Sequence, residues 1–226
     1  MKVNNIAIVS CSKGDETTLL SKSVEKLTNH TEIYEFKSNK KSICTVYNDF
    51  IDKNIDYFQD DTAIVFVHDD VYINCKDLHS KLEEGFKTYD VIGVAGTLNA
   101  QIKEPCLWHI MGNKQDHRGA AAHPVSREPG SLEPYYITSF GPMPSRALLI
   151  DGVFMAVKSK VLKNIRFDET NPARFHYYDL DFSLECNKNQ YKIGVWDIPI
   201  IHMSPGLTNP DEEWRKGQDW FMNKWG

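Results

Sequence analysis

The chain's densest chemistry is a short polar run, His68-Asp69-Asp70, placed directly after the apolar segment Ala63-Ile64-Val65-Phe66-Val67. A continuous run of β-branched and aromatic residues of this length reads as a central parallel strand buried on both faces. Ligands of α/β sheets gather outside the carboxyl ends of such strands. Paired carboxylates at that point offer hard oxygen ligands to Mg²⁺ or Mn²⁺, ions that keep open positions for a substrate phosphate. The plain alternative is that Asp69 and Asp70 cap the next helix; against it, the apolar pattern of that helix begins beyond Asn74.

A second candidate is Tyr178-Asp179-Leu180-Asp181, the polar entry into an amphipathic stretch. Asp179 at a helix start is favoured in its ionised form by the helix dipole, and an ionised carboxylate in a cleft can take the proton of an attacking hydroxyl. Capping or a solvated face is the simpler role for Asp179 and Asp181. The third candidate is His202, where the strand Ile198-Pro199-Ile200-Ile201 leaves the sheet, as a metal ligand or as a structural histidine. The histidines at 30, 79, 109, 117, 123 and 176 show no metal-ligand spacing. Ser10-Cys11-Ser12-Lys13-Gly14, after the first strand, is neither a phosphate-binding nor a dinucleotide-binding glycine loop.

Short β-branched runs alternating with amphipathic stretches must position these groups, the pattern of strands and helices around a mostly parallel sheet. Strands are expected at 6–11, 32–36, 63–67, 91–95, 147–157 and 192–196. Helices are expected at 16–29, with Asp15 or Thr17 as N-cap, and at 43–55, 76–88, 159–164 and 179–189. Between 96 and 146 prolines, glycines and aromatics break the regularity, which reads as a long functional loop. The tail from 205 to 226 carries Trp214, Trp220, Phe221 and Trp225 at helical intervals.

At 226 residues the chain suits one large α/β domain. A net charge of −5 gives no field to attract a nucleic-acid duplex, so no nucleic-acid partner is expected. Five scattered cysteines without a C-x-x-C pair, and no apolar run long enough for a signal peptide or a membrane span, point to a reducing, cytoplasmic setting. Nothing here fixes an oligomeric state.

Taken in order, Ser10-Cys11-Ser12, the stretch Asn39 to Asn48, Val65 to Val71, Asp151-Gly152-Val153-Phe154-Met155-Ala156, Tyr178-Asp179-Leu180-Asp181 and Ile201-His202 resemble the A-type nucleotide-sugar glycosyltransferases, closest to the family-two-like branch that includes streptomycin-biosynthesis-type transferases. The likeness runs from about residue 3 to residue 204. It implies a single Rossmann-like domain with a donor half at 1–95, an acceptor half with the catalytic elements at 96–204, and a tail at 205–226. It also implies a nucleoside-diphosphate sugar as donor, a saccharide or other hydroxyl compound as acceptor, and Mn²⁺ or Mg²⁺ as cofactor.

Carried onto this chain, the family's D-x-D motif makes Asp70 the principal metal ligand, with Asp69 at the metal or the ribose and His202 completing the site. Ser10, Cys11 and Ser12 and the stretch from Phe36 and Lys37 to Lys41 flank the base, Lys40 or Lys41 also approaches the diphosphate, and Asn48, His68, Asp151 and Gly152 complete the donor side. Asp179 is the base for an inverting displacement. Tyr178 and Asp181 are expected on the acceptor side, and Trp108, Trp214 and Trp220 offer flat faces to sugar rings, with packing as the alternative for each. Two positions depart from the family pattern: His68 stands where many members have an acidic residue, and Tyr178 replaces a glutamate. A non-catalytic sugar-binding protein, or a metal-dependent phosphohydrolase or nucleotidyltransferase, are the competing functions.

Overall fold

The computed structural model describes residues 2–27, 30–100, 103–126, 128, 131–204 and 210–226. The chain opens with β1 (Asn5–Cys11), α1 (Leu19–Val24), β2 (Thr31–Phe36), α2 (Ile43–Asn54) and β3 (Thr62–Val67). Then come β4 (Val71–Ile73), α3 (Leu78–Gly85), β5 (Val91–Gly93), β6 (Ala95–Thr97) and α4 (Trp108–Met111). The middle holds β7 (His117–Pro124), β8 (Tyr135–Gly141), β9 (Ser145–Arg146), β10 (Leu149–Ile150), β11 (Phe154–Lys158) and α5 (Ser159–Leu162). The last elements are α6 (Tyr178–Lys188), β12 (Ile193–Val195), β13 (Ile200–His202) and α7 (Glu212–Trp225).

A seven-stranded sheet in the order β2-β1-β3-β11-β5-β12-β9 forms the centre. Every residue of β3 is buried, because apolar side chains from α2 pack on one face and those of α1 and α3 on the other. The sheet is more mixed than the alternating pattern predicts: β1, β2 and β3 run parallel, but β11 enters antiparallel between β3 and β5. The apolar run 147–157 is two strands: β10 pairs antiparallel with β6 and, beyond the Asp151-Gly152 turn, β11 pairs antiparallel with β5, so the chain keeps its direction but changes partner.

The second departure is a six-stranded sheet, β10-β6-β7-β13-β4 with β8 on β7, built largely from the stretch expected to be a loop. The expected strand 91–95 is divided at Val94, β5 staying in the central sheet and β6 joining the second. Gly119 marks the crossing: its φ of +89° and the approach of the Val94 carbonyl leave no room for a Cβ.

Helix α1 is shorter than expected and its N-cap is Thr18, whose hydroxyl accepts from the Ser21 N–H at 3.0 Å; residues 28 and 29 of the expected helix lie outside the described residues. The first part of the tail, 205–209, does as well, whereas the tryptophans beyond it belong to α7. Among the described residues, no helix is long and apolar enough to cross a membrane.

Candidate active site

The carboxyl ends of β1, β2 and β3 lie together, since Cys11 pairs with Phe36 and Val9 with Phe66. Because β11 is antiparallel, its first residue meets the last of β3, Phe154 opposite Val67, so the Asp151-Gly152 turn arrives at the same edge. The His68 N–H then donates to the Val153 carbonyl at 3.3 Å. Asp69 and Asp70 occupy a tight turn into β4, closed by the Val71 N–H on the His68 carbonyl at 3.3 Å; the Asp69 carbonyl accepts the Leu20 N–H of α1 at 3.2 Å, and the following helix, α3, has Asp77 at its N-cap instead. Strand β13 pairs antiparallel with β4, His202 opposite Val71, which brings His202 to Asp70.

A cleft of about 320 Å³ opens at this edge, lined by Cys11, Ser12, Lys13, Gly14, Lys40, Lys41, Asp69 and others. Its rim is cationic, and of its lining only Asp69 is acidic. Burial pushes the Asp69 carboxyl up, against the Ser12 hydroxyl that bonds to it. Lys41 is paired with Asp49 at 2.7 Å. Two residues here carried no sequence signal, Arg174 and Phe175. The Phe175 ring packs 5.1 Å from that of His68, and the Ile43 N–H holds the Arg174 carbonyl at 2.8 Å.

Beside the cleft, ligand atoms of His68, Asp70 and His202 lie within 4.8 Å of one another. His202 Nε2 faces Asp70 Oδ1 at 3.3 Å. Both atoms are buried, and neither makes an aligned hydrogen bond. Two orphaned polar atoms turned toward one point are costly without a common partner, and a nitrogen plus an oxygen donor is a chemistry divalent cations accept. The group therefore fits a metal ion. Burial alone would raise the Asp70 carboxyl, but the His202 and His68 rings reverse this and hold it below its ordinary value. Burial, then the His202 charge, push the His68 ring down to about 4, so it is neutral near pH 7. Asp69, expected as a further ligand, is outside this group and faces the cleft.

On the other side of His68 lies Asp179. Its Oδ2 accepts the Gly152 N–H at 2.7 Å and its Oδ1 the Leu180 N–H at 2.9 Å. A Cβ on Gly152 would overlap the Tyr178 hydroxyl, so only glycine lets the turn approach the start of α6. Burial, then the Asp151 charge, raise the Asp179 carboxyl to about 7 despite the two N–H donors. Tyr178 is buried; its hydroxyl lies 3.1 Å from His68 Nε2 and donates to the Gly152 carbonyl at 3.2 Å. It joins the two sides of the site and does not face the acceptor space expected for it.

Several expected site residues are employed elsewhere. Asn48 is buried in α2, where its side chain bonds the Phe167 carbonyl and N–H and Glu169, so it supports the 167–169 segment and not a donor. Phe36 packs edge-on against Phe50, Lys37 leans on Glu35 at 3.9 Å, and Ser10 is buried behind the cleft. Asp181 points away from Asp179: it pairs with Lys224 at 2.8 Å and accepts from Trp225 Nε1 at 2.7 Å, fastening α7. Trp108 is buried against Phe140 and His117, and Trp214 against His176 and Tyr177, so neither offers a face to a sugar. Trp220 Nε1 donates to Thr170 at 3.2 Å.

Comparison with known proteins bears on this arrangement. Among curated proteins no sequence match is found. The crystal structure of A197 from STIV superposes with a TM-score of 0.50 at 12% identity, over 92% of this chain and 98% of that one, a likeness of fold. The mannosyltransferase PcManGT from Pyrobaculum calidifontis, in complex with GDP-Man and Mn²⁺, gives 0.47 at 10% identity over 88% of this chain and 57% of that one. The sequence profile of the Glycosyltransferase like family matches residues 23–224, a span that takes in β3, the His68-Asp69-Asp70 turn, Asp179 and His202, and by it the chain belongs to that family.

Proposed function

We propose that the chain transfers a sugar from a nucleoside-diphosphate sugar to an acceptor hydroxyl, with metal dependence and inversion at the anomeric carbon. The observation that carries this reading is one sheet edge that holds a cationic cleft, the Asp70–His202 pair and Asp179 side by side. Lys13, Lys40 and Lys41 supply positive charge for a diphosphate, and the Cys11–Ser12 edge supplies the wall for its base. Asp70 and His202 would hold the cation, which when bound offsets the negative charge that grows on a departing diphosphate.

Asp179 is the base. A carboxyl raised to about 7 is ionised in half of the molecules at that pH, yet basic enough to accept a proton from a hydroxyl as it attacks. Two backbone N–H groups fix its orientation, so no rearrangement is needed at the moment of transfer. In this reading 1–95 forms the donor half, 96–204 the acceptor half with the catalytic elements and 205–226 the C-terminal tail, and the ordered motifs favour the streptomycin-biosynthesis-type branch.

The test is turnover. The protein, mixed with a panel of UDP- and GDP-hexoses and Mn²⁺, should release nucleoside diphosphate, faster with added saccharide and not at all after EDTA. Release that ignores EDTA for every donor, or no release from any donor over hours, would overturn the reading.

A further inference from the structure

The two departures from the family pattern, His68 and Tyr178, are 110 positions apart in sequence and touch one another, His68 Nε2 lying 3.1 Å from the Tyr178 hydroxyl. The phenol has one proton and two partners at similar distance, and both contacts are hydrogen bonds only if that proton goes to the Gly152 carbonyl, 3.2 Å away, which can only accept. The bond between the pair must then be made by an N–H on His68 Nε2, with the phenolic oxygen accepting. A neutral imidazole protonated at Nε2 carries its lone pair on Nδ1. The Tyr178 hydroxyl is itself fixed, because its ring is buried against Tyr47 and Phe167 and the glycine beneath it admits no side chain.

We propose that His68 is a metal ligand through Nδ1, which makes the centre a two-histidine, one-carboxylate site with Asp70 and His202, and that Tyr178 is the positioning residue that sets the tautomer and aim of His68. The proposal rests on the metal-dependent reading above and deepens it. It assigns His68 to the cation, where the family resemblance placed it on the donor, and it explains why a histidine and a tyrosine occur together: a histidine ligand needs an outer partner for its other nitrogen, and the phenolic oxygen supplies it. It also predicts the metal. Imidazole donors favour Co²⁺ and Zn²⁺, and Mn²⁺ to a lesser degree, over Mg²⁺, which prefers an all-oxygen shell and sheds water reluctantly.

The experiment titrates the full chain with each metal alone and counts coordinated imidazoles on bound Mn²⁺ by electron spin-echo modulation. The wild type should bind one Mn²⁺ through two imidazole nitrogens, with Mg²⁺ bound more weakly. His68→Asn, which leaves a polar partner for Tyr178, should lose one nitrogen and about tenfold or more in Mn²⁺ affinity. Tyr178→Phe should keep the fold by thermal melting and lose about tenfold in affinity, the effect expected when a ligand's outer hydrogen bond is removed. One imidazole in the wild type, lost only in His202→Ala, would overturn the role of His68 and leave the Asp70–His202 reading standing. Unchanged affinity in both His68→Asn and Tyr178→Phe, or Mg²⁺ bound as tightly as Mn²⁺, would also overturn the proposal, whereas no metal bound by the wild type would remove both readings together.

Discussion

Asp179 and Asp181 are two residues apart on the first turn of α6 and meet opposite fates. Burial pushes both carboxyls up. Asp181 finds a cation, Lys224, and the indole N–H of Trp225; its side chain is 3% exposed and spends its charge joining two helices. Among the described residues Asp179 has no ion pair; its oxygens accept backbone N–H groups, and burial, then the Asp151 carboxylate, raise its proton affinity to about 7. The comparison teaches that a carboxylate becomes available for chemistry where the fold withholds a counter-ion, and becomes structure where the fold supplies one.

The largest expected effect separates the pair. Asp179→Asn should reduce kcat by about 10²–10⁴-fold, the usual contribution of a general base, with donor affinity by calorimetry kept within a few-fold. Asp181→Ala should leave kcat within a few-fold of wild type. Equal losses of kcat in the two variants would erase the distinction.

The pH profile sharpens it. A carboxylate base works only when deprotonated, so kcat/KM should fall by about tenfold per pH unit below its pKa and level off above about 7, where Asp179 is ionised. Asp181→Ala should retain this limb; a profile flat from pH 5 to 8 in the wild type would exclude Asp179 as the titrating group.

Stability reverses the order of the two residues. Asp181→Ala leaves Lys224 with Asp168 alone, at 2.6 Å, and takes the acceptor from a half-buried indole N–H; denaturant unfolding should show a loss of about 2 kcal/mol. Asp179→Asn should shift the midpoint less than that. The smallest effect is expected at the cleft rim. Lys40→Ala should raise the donor KM by a few-fold at low salt and by less at high salt, because exposed charges are screened; a rise that does not depend on salt would argue for a contact of another kind.

The sequence made some of this plain and concealed the rest, for physical reasons. Strand β3 was legible because a strand buried on both faces needs an uninterrupted apolar run, and α2 because Ile43, Val46, Tyr47, Phe50 and Ile51 repeat at helical spacing on one face. The His68-Asp69-Asp70 turn followed from its place after β3. Strand β7 was hidden because it carries glycine, alanine and proline and takes its order from β6 and β13, partners distant in sequence, and β8, although rich in tyrosine, isoleucine and threonine, was masked by the prolines at 134 and 142 on either side of it. Periodicity shows that Trp214 and Asp181 lie on a helix but not what lies opposite, and Trp108 falls in the stretch read as a loop, so their partners, His176, Lys224 and Phe140, had no local signal. Asn48 misled for the same reason, since a polar residue on a helix facing the core can bond to backbone far along the chain as readily as to a ligand.

The account's central claim is that an acidic chain binds a diphosphate through a cation held by its own side chains. Isothermal titration of UDP and of GDP into the protein, with and without Mn²⁺, tests it most directly. The account predicts saturable binding of at least one of them with Mn²⁺, strongly weakened without the metal and in Asp70→Asn. Binding of neither nucleotide in the presence of Mn²⁺, or binding of equal strength with the metal absent, would contradict it.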